Sequence, residues 1–293
     1  MGLLKDKVAI VTGAGGGLGR AHATLLAAHG AKVIVNDLGG ASDGTGSGAS
    51  MADSVVAVIT EASGTAVANY GSVTDESAAR EMVQTAVDHY GGLDILINNA
   101  GILRDRSFKN MTHDEWDSVI DVHLRGSYLT THFAWQQMLA QGRGGRIIMT
   151  SSTSGLIGNF GQTNYGAAKA GVAGFMRVLA LEGMKYGITA NVLVPTALSR
   201  MTEDLMPDSP ELAERLAPEK VAPTVAWLCT DAAAKVTGRQ FCVNGNRTTL
   251  LSWQADVLAE RDSLEEPWSV EAIGEVLEAS MDAWPKLLKP SDV

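Results

Sequence analysis

Short apolar runs alternate with longer segments of helical periodicity along most of this chain. Val8 to Thr12, Val33 to Asn36 and Leu93 to Ile97 are rich in branched apolar residues, which is typical of buried strands. The segments between such runs are about 10 to 20 residues long and predict helices. Strands that alternate with helices indicate a parallel sheet covered on both faces. The pattern therefore predicts an α/β fold with a single doubly wound parallel-sheet domain.

The alternation continues to residue 245 and then stops. Further apolar runs predict strands at Ile147 to Thr150, Ala190 to Val194 and Gln240 to Val243. The tail holds three of the six tryptophans, and Pro267 divides it into two segments that we predict to be short helices. We expect a domain over residues 1–245 and a C-terminal helical extension over residues 246–293. The extension either packs on the domain or covers the functional site or a partner subunit.

A glycine-rich segment directly follows the first predicted strand. Gly13 to Gly19 contains five glycines, the run from Leu18 to His29 predicts a helix, and the next strand ends at Asp37. A glycine turn between a strand and a helix lets the backbone approach a pyrophosphate, whose charge the helix N-terminus stabilises. A flexible linker is the alternative. The order of strand, turn, helix, strand and terminal acid favours a dinucleotide-binding site.

Asp37 bears on the choice of dinucleotide. A carboxylate at the end of the second strand accepts hydrogen bonds from the adenosine ribose and repels a 2′-phosphate. Two unit charges about 4 Å apart cost roughly 1 to 4 kcal/mol at a partly exposed site. Neither Asn36 nor Leu38 offers a compensating cation. The sequence therefore predicts NAD rather than NADP.

The stretch from Arg146 to Ala170 carries the candidate catalytic residues. Its apolar run predicts a strand that ends at Ser152, and after a glycine-containing loop a long helix begins near Tyr165. Tyr165 and Lys169 are four residues apart, so they lie on one helix face. A nearby cation favours a tyrosine phenolate, and Ser152 is placed to hold a substrate oxygen against the phenol. This set suits proton transfer at a carbinol oxygen, with an incidental surface pair as the alternative.

The candidate residues share one position relative to the predicted strands. Those that follow the carboxyl end of a strand are Gly13, Asp37, Asn99, Ser152 and Pro195. Ligands of open parallel sheets bind beyond these ends. We therefore expect the residues to converge on one cleft, which is the main argument from the residues for an enzyme.

Composition and charge narrow the possible partners and locations. The chain has 293 residues and a net charge of −10, which argues against nucleic acid and acidic membrane surfaces. No apolar run reaches the roughly 18 residues of a membrane span, and we find no signal-peptide pattern. The two cysteines, Cys229 and Cys242, have no metal-ligand residues nearby. We expect no bound metal, no disulfide framework and a reducing, cytoplasmic location.

Three short motifs lie in order along the chain. They are Thr12-Gly13-x-x-x-Gly17-x-Gly19, Asn98-Asn99-Ala100-Gly101, and Ser152 with Tyr165-x-x-x-Lys169. Together they resemble the classical short-chain dehydrogenase/reductase family, and the resemblance covers residues 5 to 245. It implies a Rossmann domain that binds a nicotinamide dinucleotide.

Finer matches resemble one branch of that family. They are Val35 to Gly40, Gly101 to Phe108, Gly158 to Gln162 and Ser199 to Thr202. The branch is that of the (3R)-hydroxyacyl-CoA dehydrogenase units of peroxisomal multifunctional enzymes of type 2, which are also known as 17β-hydroxysteroid dehydrogenases. The tryptophan-containing tail is compatible with this branch.

The resemblance implies a role for each matching residue. Tyr165 is expected to be the acid/base and Ser152 to orient the substrate oxygen. Lys169 is expected to lower the pKa of the tyrosine and to bind the nicotinamide ribose. The implied cofactor-binding residues are Gly13, Gly17, Leu18, Gly19, Asp37, Ser72, Val73, Asn99, Gly101, Tyr165, Lys169, Ala197 and Ser199.

Two positions depart from the family pattern. An asparagine that completes a proton relay through water in the family corresponds here to His123. His123 either holds a relay water, as a member of the catalytic set, or is structural. The glycine that usually follows Pro195 is Thr196, so we expect the backbone at the nicotinamide end to differ.

The motifs and the resemblance predict an NAD-dependent oxidoreductase that interconverts a secondary alcohol and a ketone. The expected substrate is a (3R)-hydroxyacyl-CoA. A 17β-hydroxysteroid or another free alcohol is the alternative within enzymes, and a non-catalytic dinucleotide-sensing protein is the alternative of another class. Arg104, Arg106 and Lys109 either bind the CoA phosphates or hold neighbouring loops together. We also expect a homo-oligomer, either a dimer or a tetramer.

Overall fold

One sheet forms the centre of the computed structural model, which describes residues 2–198, 209–262, 267–286 and 288–289. Its strands are β1 (Val8–Thr12), β2 (Lys32–Asn36), β3 (Thr65–Asn69), β4 (Ile95–Asn98), β5 (Gly145–Thr150), β6 (Ile188–Thr196), β7 (Gln240–Asn244) and β8 (Arg247–Leu251). They lie in the order β3-β2-β1-β4-β5-β6-β7-β8. The first seven run parallel, and β8 pairs with β7 in the antiparallel direction.

Helices cover both faces of this sheet. They are α1 (Gly17–Ala28), α2 (Ser50–Glu61), α3 (Glu76–Tyr90), α4 (His113–Ile120), α5 (Gly126–Gln141), α6 (Thr153–Leu156), α7 (Thr163–Gly183), α8 (Pro210–Arg215), α9 (Ala222–Leu228) and α10 (Val270–Ser280). Successive residues of a strand point to opposite faces, so Val8 and Ile10 enter one buried cluster and Ala9 and Val11 the other. The first cluster also takes side chains from α3, α5 and α7, and the second from α1, α2 and α9. The predicted α/β, doubly wound parallel-sheet Rossmann fold with a C-terminal helix is confirmed.

The strand order places a cleft at the middle of the sheet. From β1 the chain winds outwards through β2 and β3, returns to β4 on the other side of β1, and winds outwards again. Loops that leave β1 and β4 at their carboxyl ends therefore diverge and leave a crevice between them. The glycine turn follows β1, and the Asn98-Asn99-Ala100-Gly101 segment begins at the end of β4.

A long helical segment begins after Thr112 and is interrupted between α4 and α5. The Thr112 side chain accepts a hydrogen bond from the Glu115 backbone, and the Glu115 carboxylate accepts one from the Thr112 backbone, so the two residues form a capping box at the start of α4. Between α4 and α5, residues Asp121–Arg125 form a π-helical turn. Such a turn carries one extra residue and turns side chains away from the regular helical positions. His123 lies in this turn and is buried.

Two expectations about the second half of the chain were wrong. We predicted that Pro195 ends a strand, but β6 continues to Thr196. Pairing with β5 stops at Leu193, so Pro195 is paired on the β7 side alone and its missing N–H leaves no partner unsatisfied. We also predicted a short helix before Pro267, but residues 252–262 lie outside helices and strands.

The predicted boundary at residue 245 falls inside a hairpin. β8 pairs with β7 along its full length, so the sheet extends to Leu251. The division into a domain over 1–245 and an extension over 246–293 therefore stays a proposal, in which the extension supplies the last strand. Among the described residues, no helix is long and apolar enough to cross a membrane.

Candidate active site

The turn between β1 and α1 requires its glycines. Gly13 and Gly17 have φ angles of +62° and +48°, a backbone conformation that residues other than glycine rarely adopt. A Cβ atom on Gly13 would lie 2.8 Å from Cα of Ala100, and one on Gly19 would lie 2.2 Å from the carbonyl oxygen of Gly13. The N-terminus of α1 has no side-chain cap and no acid in its first turn. Its backbone N–H groups are therefore suited to an anion.

Asp37 is buried at the end of β2 and held by two backbone donors. Its Oδ2 accepts a hydrogen bond from the N–H of Gly15 and its Oδ1 one from Gly39, each at 2.7 Å. Each carboxylate oxygen has a second lone pair, so the group can still accept from a ribose. These contacts fix a negative charge beside the glycine turn.

The cleft contains a cavity of about 200 Å³. The predicted residues that line it are Gly13, Gly17, Leu18, Asp37, Ser72, Val73, Asn99 and Gly101. Gly19 lies beneath the turn and keeps the helix close to it. Sequence reasoning missed the loop after β2, whose Ala41, Ser42 and Gly44 also line the cavity. This loop is joined to the far wall, because Ser42 O accepts a hydrogen bond from the N–H of Leu103.

Asn99 joins the two loops on either side of the crevice. Its Nδ2 donates to the carbonyl oxygens of Thr12 and Gly13, at 3.0 and 3.1 Å. In return, the Thr12 hydroxyl accepts from the N–H groups of Asn99 and Ala100. These bonds set the width of the cleft between β1 and β4.

Ser152, Tyr165 and Lys169 meet at the other end of the cleft. Ser152 follows β5 and caps α6 by accepting from the N–H of Ser154. Tyr165 lies in the first turn of α7, and Lys169 lies one turn later with its Nζ 5.4 Å from the tyrosine ring centroid. The buried Lys169 Nζ donates to the carbonyl oxygen of Thr150 at 2.7 Å.

Burial has the largest effect on the pKa values of Tyr165 and Lys169. Although Tyr165 as a whole is only partly buried, desolvation raises the pKa of Tyr165 to about 12, with Ser152 acting in the opposite direction. Desolvation also lowers the pKa of Lys169 to about 7. The expected lowering of the tyrosine pKa by Lys169 is not seen here, because burial is the largest cause of the shift and Lys169 is not among its causes.

His123 lies between the tyrosine and the loop after β4. Its ring meets the Tyr165 ring edge-on, with centroids 5.1 Å apart. Its Nε2 lies 2.7 Å from the carbonyl oxygen and 3.1 Å from the nitrogen of Ile102. Burial, and next the charge of Lys169, lower the pKa of His123 well below its usual value, so the ring is neutral. Its Nδ1 is buried and has no hydrogen-bond partner in the protein. This is compatible both with a relay water at Nδ1 and with a structural role of the ring.

The remaining predicted residues are placed as follows. Ala197 is buried just after β6. Ser199 and the Ser199-to-Thr202 match lie outside the described residues, as does much of the polar segment after Thr196. Within the described part of the chain, no group of three His, Cys, Asp or Glu residues is arranged to hold a metal ion.

The cationic cluster after β4 is largely engaged with protein groups. Arg104 Nε donates to the carbonyl oxygen of Asp43, and Arg106 donates through Nε and Nη2 to one oxygen of Glu115. Arg104 thus joins this loop to the loop after β2, which is one of the two roles expected for the cluster, and Arg106 joins it to α4. Lys109 is exposed in the same loop.

Sequence reasoning also missed Asn164, the residue before the tyrosine. It is fully buried, and its Nδ2 donates to the carbonyl oxygens of Arg104 and Glu115. Its Oδ1 accepts from the N–H of Tyr165 at 2.7 Å. Asn164 therefore attaches the start of α7 to the loop after β4, and only its position next to Tyr165 could have indicated this.

The chain is similar to known proteins over most of its length. A family model described as short chain dehydrogenase matches residues 7–210. The chain is 47% identical over 281 residues to peroxisomal multifunctional enzyme type 2 of Mus musculus; the match covers 96% of this chain but only 36% of the mouse protein. It is 42% identical over 260 residues to a hydroxyacyl-CoA dehydrogenase of Mycobacterium tuberculosis, covering 85% of this chain and 80% of that protein.

The chain is also similar to a solved structure. The crystal structure of a short chain dehydrogenase from Mycobacterium avium matches with a TM-score of 0.86 and 42% identity, over 98% of each chain. The resemblance to the multifunctional enzymes is confirmed by the mouse relative. The glycine turn, the crevice beside β1 and these similarities lead to one conclusion: the chain belongs to the short-chain dehydrogenase family.

Proposed function

We propose that the protein is an NAD-dependent dehydrogenase that interconverts a (3R)-hydroxyacyl-CoA and a 3-ketoacyl-CoA. The observation that supports this most is the meeting of Ser152, Tyr165 and Lys169 beside the cleft. Tyr165 packs in one cluster with Ile102, and Ile102 and Asp37 both line the cavity. A dinucleotide-sensing protein needs the cleft but has no use for this proton-transfer set.

The residues of the cleft fit a bound NAD. The backbone of Gly17 to Gly19 at the N-terminus of α1 would hold the pyrophosphate, and Asp37 would accept from the adenosine ribose. Ser72 and Val73 would flank the adenine, and Lys169 would bind the nicotinamide ribose. When bound, the nicotinamide supplies the hydride acceptor or donor.

Tyr165 would handle the proton. Because its pKa is about 12, the phenol is protonated at neutral pH and is suited to donate to the oxygen of a ketone that is being reduced. In the opposite direction the phenolate must form first, so alcohol oxidation should become faster as the pH rises. Ser152 would hold the substrate oxygen against the phenol, and His123 would either carry a relay water or support the Ile102 backbone.

The acyl-CoA part of the proposal draws on the relatives. One is named a hydroxyacyl-CoA dehydrogenase, and the chain matches about a third of a multifunctional enzyme. With Arg104 and Arg106 tied to protein groups, Lys109 is the member of the cluster best suited to a CoA phosphate.

The test is a comparison of KM for one acyl group with and without CoA, at increasing salt. A preference for CoA that weakens with ionic strength supports the proposal, because salt screens exposed charges. Indifference to CoA would favour a free hydroxysteroid or a simple alcohol.

The proposal also covers the oligomeric state, the partners and the location of the enzyme. Exposed apolar side chains on α7, such as Val178 and Leu181, support a homo-oligomer. The partner is a small molecule, with neither nucleic acid nor a membrane expected. A cytoplasmic location stays a prediction, since the mouse relative is named a peroxisomal enzyme.

A further inference from the structure

Residues 39–48 of the loop after β2, which we call the strap, cross the cleft from one side of β1 to the other. The strap begins at the end of β2 and its tip reaches the segment after β4, although β1 lies between these two strands. There the carbonyl oxygen of Ser42 accepts a hydrogen bond from the N–H of Leu103, and that of Asp43 accepts one from Nε of Arg104, each at 3.0 Å. The strap therefore bridges the cleft.

The strap is closed at its base and folded at its tip. The N–H of Gly48 donates to the carbonyl oxygen of Leu38, so the two ends of the strap lie side by side. At the tip, Asp43 Oδ1 accepts hydrogen bonds from the N–H and from the hydroxyl of Thr45. Compact surface loops whose ends are close and whose contacts are their own are Ω-loops. These internal contacts let the strap move as one piece about its base.

The segment that the strap contacts, residues 102–106, is held by other parts of the protein. Ile102 is buried, and its backbone nitrogen lies 3.1 Å from Nε2 of His123. The carbonyl oxygen of Arg104 accepts a hydrogen bond from Nδ2 of Asn164 at 3.0 Å. These bonds do not involve the strap, so this segment can stay in place when the strap detaches.

The strap itself buries little. Every residue from 41 to 48 is exposed, and none of them belongs to a core cluster. On its inner side, Gly40, Ala41, Ser42 and Gly44 nevertheless line the cavity. Segments with few buried contacts open most readily in a folded protein. The contacts at the tip are therefore the main obstacle to opening the strap.

We propose that the strap must detach before the dinucleotide enters or leaves the cleft, and that Arg104 is the side chain that holds it docked. The contacts at the tip join protein groups to each other, so they oppose opening both before and after a dinucleotide binds. Weakening them should speed association and dissociation together and leave Kd nearly unchanged. Arg104 is thus a positioning residue. The inference rests on the proposed function only in taking this cleft as the dinucleotide site.

The experiment measures the binding of NADH by stopped-flow fluorescence to the wild-type protein, Arg104→Met and Arg247→Met. Methionine keeps an apolar stem and removes the donors. We expect Arg104→Met to raise kon and koff about fivefold each, which is about 1 kcal/mol, with Kd within about twofold of the wild-type value. Arg247 is exposed on β8 at the far edge of the sheet, so its variant removes the same charge and should change neither rate.

Hydrogen exchange gives a second measurement that needs no ligand. The N–H of Leu103 is bonded to Ser42 only while the strap is docked. Exchange at the Leu103 amide therefore reports opening of the strap. It should be about fivefold faster in Arg104→Met than in Arg247→Met.

Two glycines of the strap test the docking without a change of charge, and they keep the test valid if Arg104→Met does not fold. Gly44 and Gly46 have φ angles of +88° and +75°, so alanine strains the backbone at both positions. A Cβ atom on Gly44 would lie 3.1 Å from Cγ2 of Ile102, whereas one on Gly46 would meet nothing within 4 Å. Gly44→Ala should therefore raise kon and koff more than Gly46→Ala does.

The possible results are distinct. Slower association with faster dissociation in Arg104→Met would overturn the inference, because a cation that only attracts the dinucleotide phosphates gives this result. Unchanged rates in Arg104→Met, or unchanged exchange at Leu103, would also overturn it. A wild-type protein that binds NADH but turns over no hydroxyacyl-CoA would contradict the proposed function alone. Failure of the wild-type protein to bind NADH would overturn both.

Discussion

At the Asp37 end of the cleft the chain presents mainly backbone, and at the Tyr165 end it presents side chains. The glycine turn after β1 and the N-terminus of α1 form the first end, and two backbone N–H groups hold Asp37 beside them. The second end consists of buried Lys169 and His123 packed around Tyr165. A substitution that adds a Cβ atom to a glycine should disturb the Asp37 end. A substitution that removes a transferable proton or a charge should disturb the Tyr165 end.

Because the two ends differ in this way, we expect some substitutions to lower the affinity for the dinucleotide and others to lower kcat. Backbone geometry at the Asp37 end sets the affinity for the dinucleotide, since the N–H groups cannot be replaced by a side chain. At the Tyr165 end, burial sets the protonation state, raising the pKa of Tyr165 to about 12 and lowering that of Lys169 to about 7.

The largest separation is expected from Tyr165→Phe. The change removes the transferable proton and keeps the ring, so kcat should fall about 100-fold or more. The Kd for NAD, measured by titration calorimetry, should stay near the wild-type value because the Asp37 end is untouched. A variant with near-normal kcat on the best substrate would refute the acid/base role.

Gly19→Ala should produce the opposite effect. The new Cβ atom would lie 2.2 Å from the carbonyl oxygen of Gly13 and 2.7 Å from Nδ2 of Asn99, so the turn must shift. We expect the Kd for NAD to rise about 30-fold, which is about 2 kcal/mol.

Gly48→Ala is the control for this substitution, because its Cβ atom meets nothing within 4 Å and its backbone is not in the left-handed region. Thermal unfolding of both variants separates local from global damage. Equal NAD affinity in Gly19→Ala and Gly48→Ala would contradict a binding site that depends on the glycine backbone.

Asp37→Ala should affect the choice of cofactor more than turnover. We expect the wild-type protein to prefer NAD over NADP by about tenfold in kcat/KM, because a 2′-phosphate would face the Asp37 carboxylate. The alanine variant should narrow this ratio. Equal kcat/KM values for both cofactors in the wild-type protein would rule out the argument from Asp37.

Lys109→Ala should give the smallest effect. An exposed cation contributes little, so KM for an acyl-CoA should rise only about threefold. KM for a CoA-free alcohol should not change, and the increase should vanish at high salt. An equal change for both substrates would indicate that Lys109 shapes the loop and does not contact CoA.

The Asp37 end was largely predictable from the sequence. The glycines, Asp37 and Asn99 follow strands whose apolar runs are unambiguous, and local backbone geometry decides what each residue does. The loop after β2 is the exception. Its contact with Leu103 is a tertiary one, which the glycine- and serine-rich composition does not encode.

The Tyr165 end was predictable in its residues but not in its electrostatics. The spacing of Tyr165 and Lys169 gave their shared face, yet the raised pKa of Tyr165 depends on burial by elements far away in the chain. A hydrogen bond from Gln162 to Asp105 joins residues 57 positions apart, so no local pattern reveals it. Similarly, β8 was missed because a hairpin partner for β7 depends on pairing more than on an apolar pattern.

The most direct test of the proposed function follows the hydride itself. A (3R)-3-hydroxyacyl-CoA that carries deuterium at C3 is incubated with NAD and the wild-type protein, and both products are examined by mass spectrometry. We predict that the deuterium appears on the nicotinamide ring and that a 3-ketoacyl-CoA forms in equal amount. A reduced cofactor without deuterium, or no ketoacyl-CoA at all, would contradict the proposal.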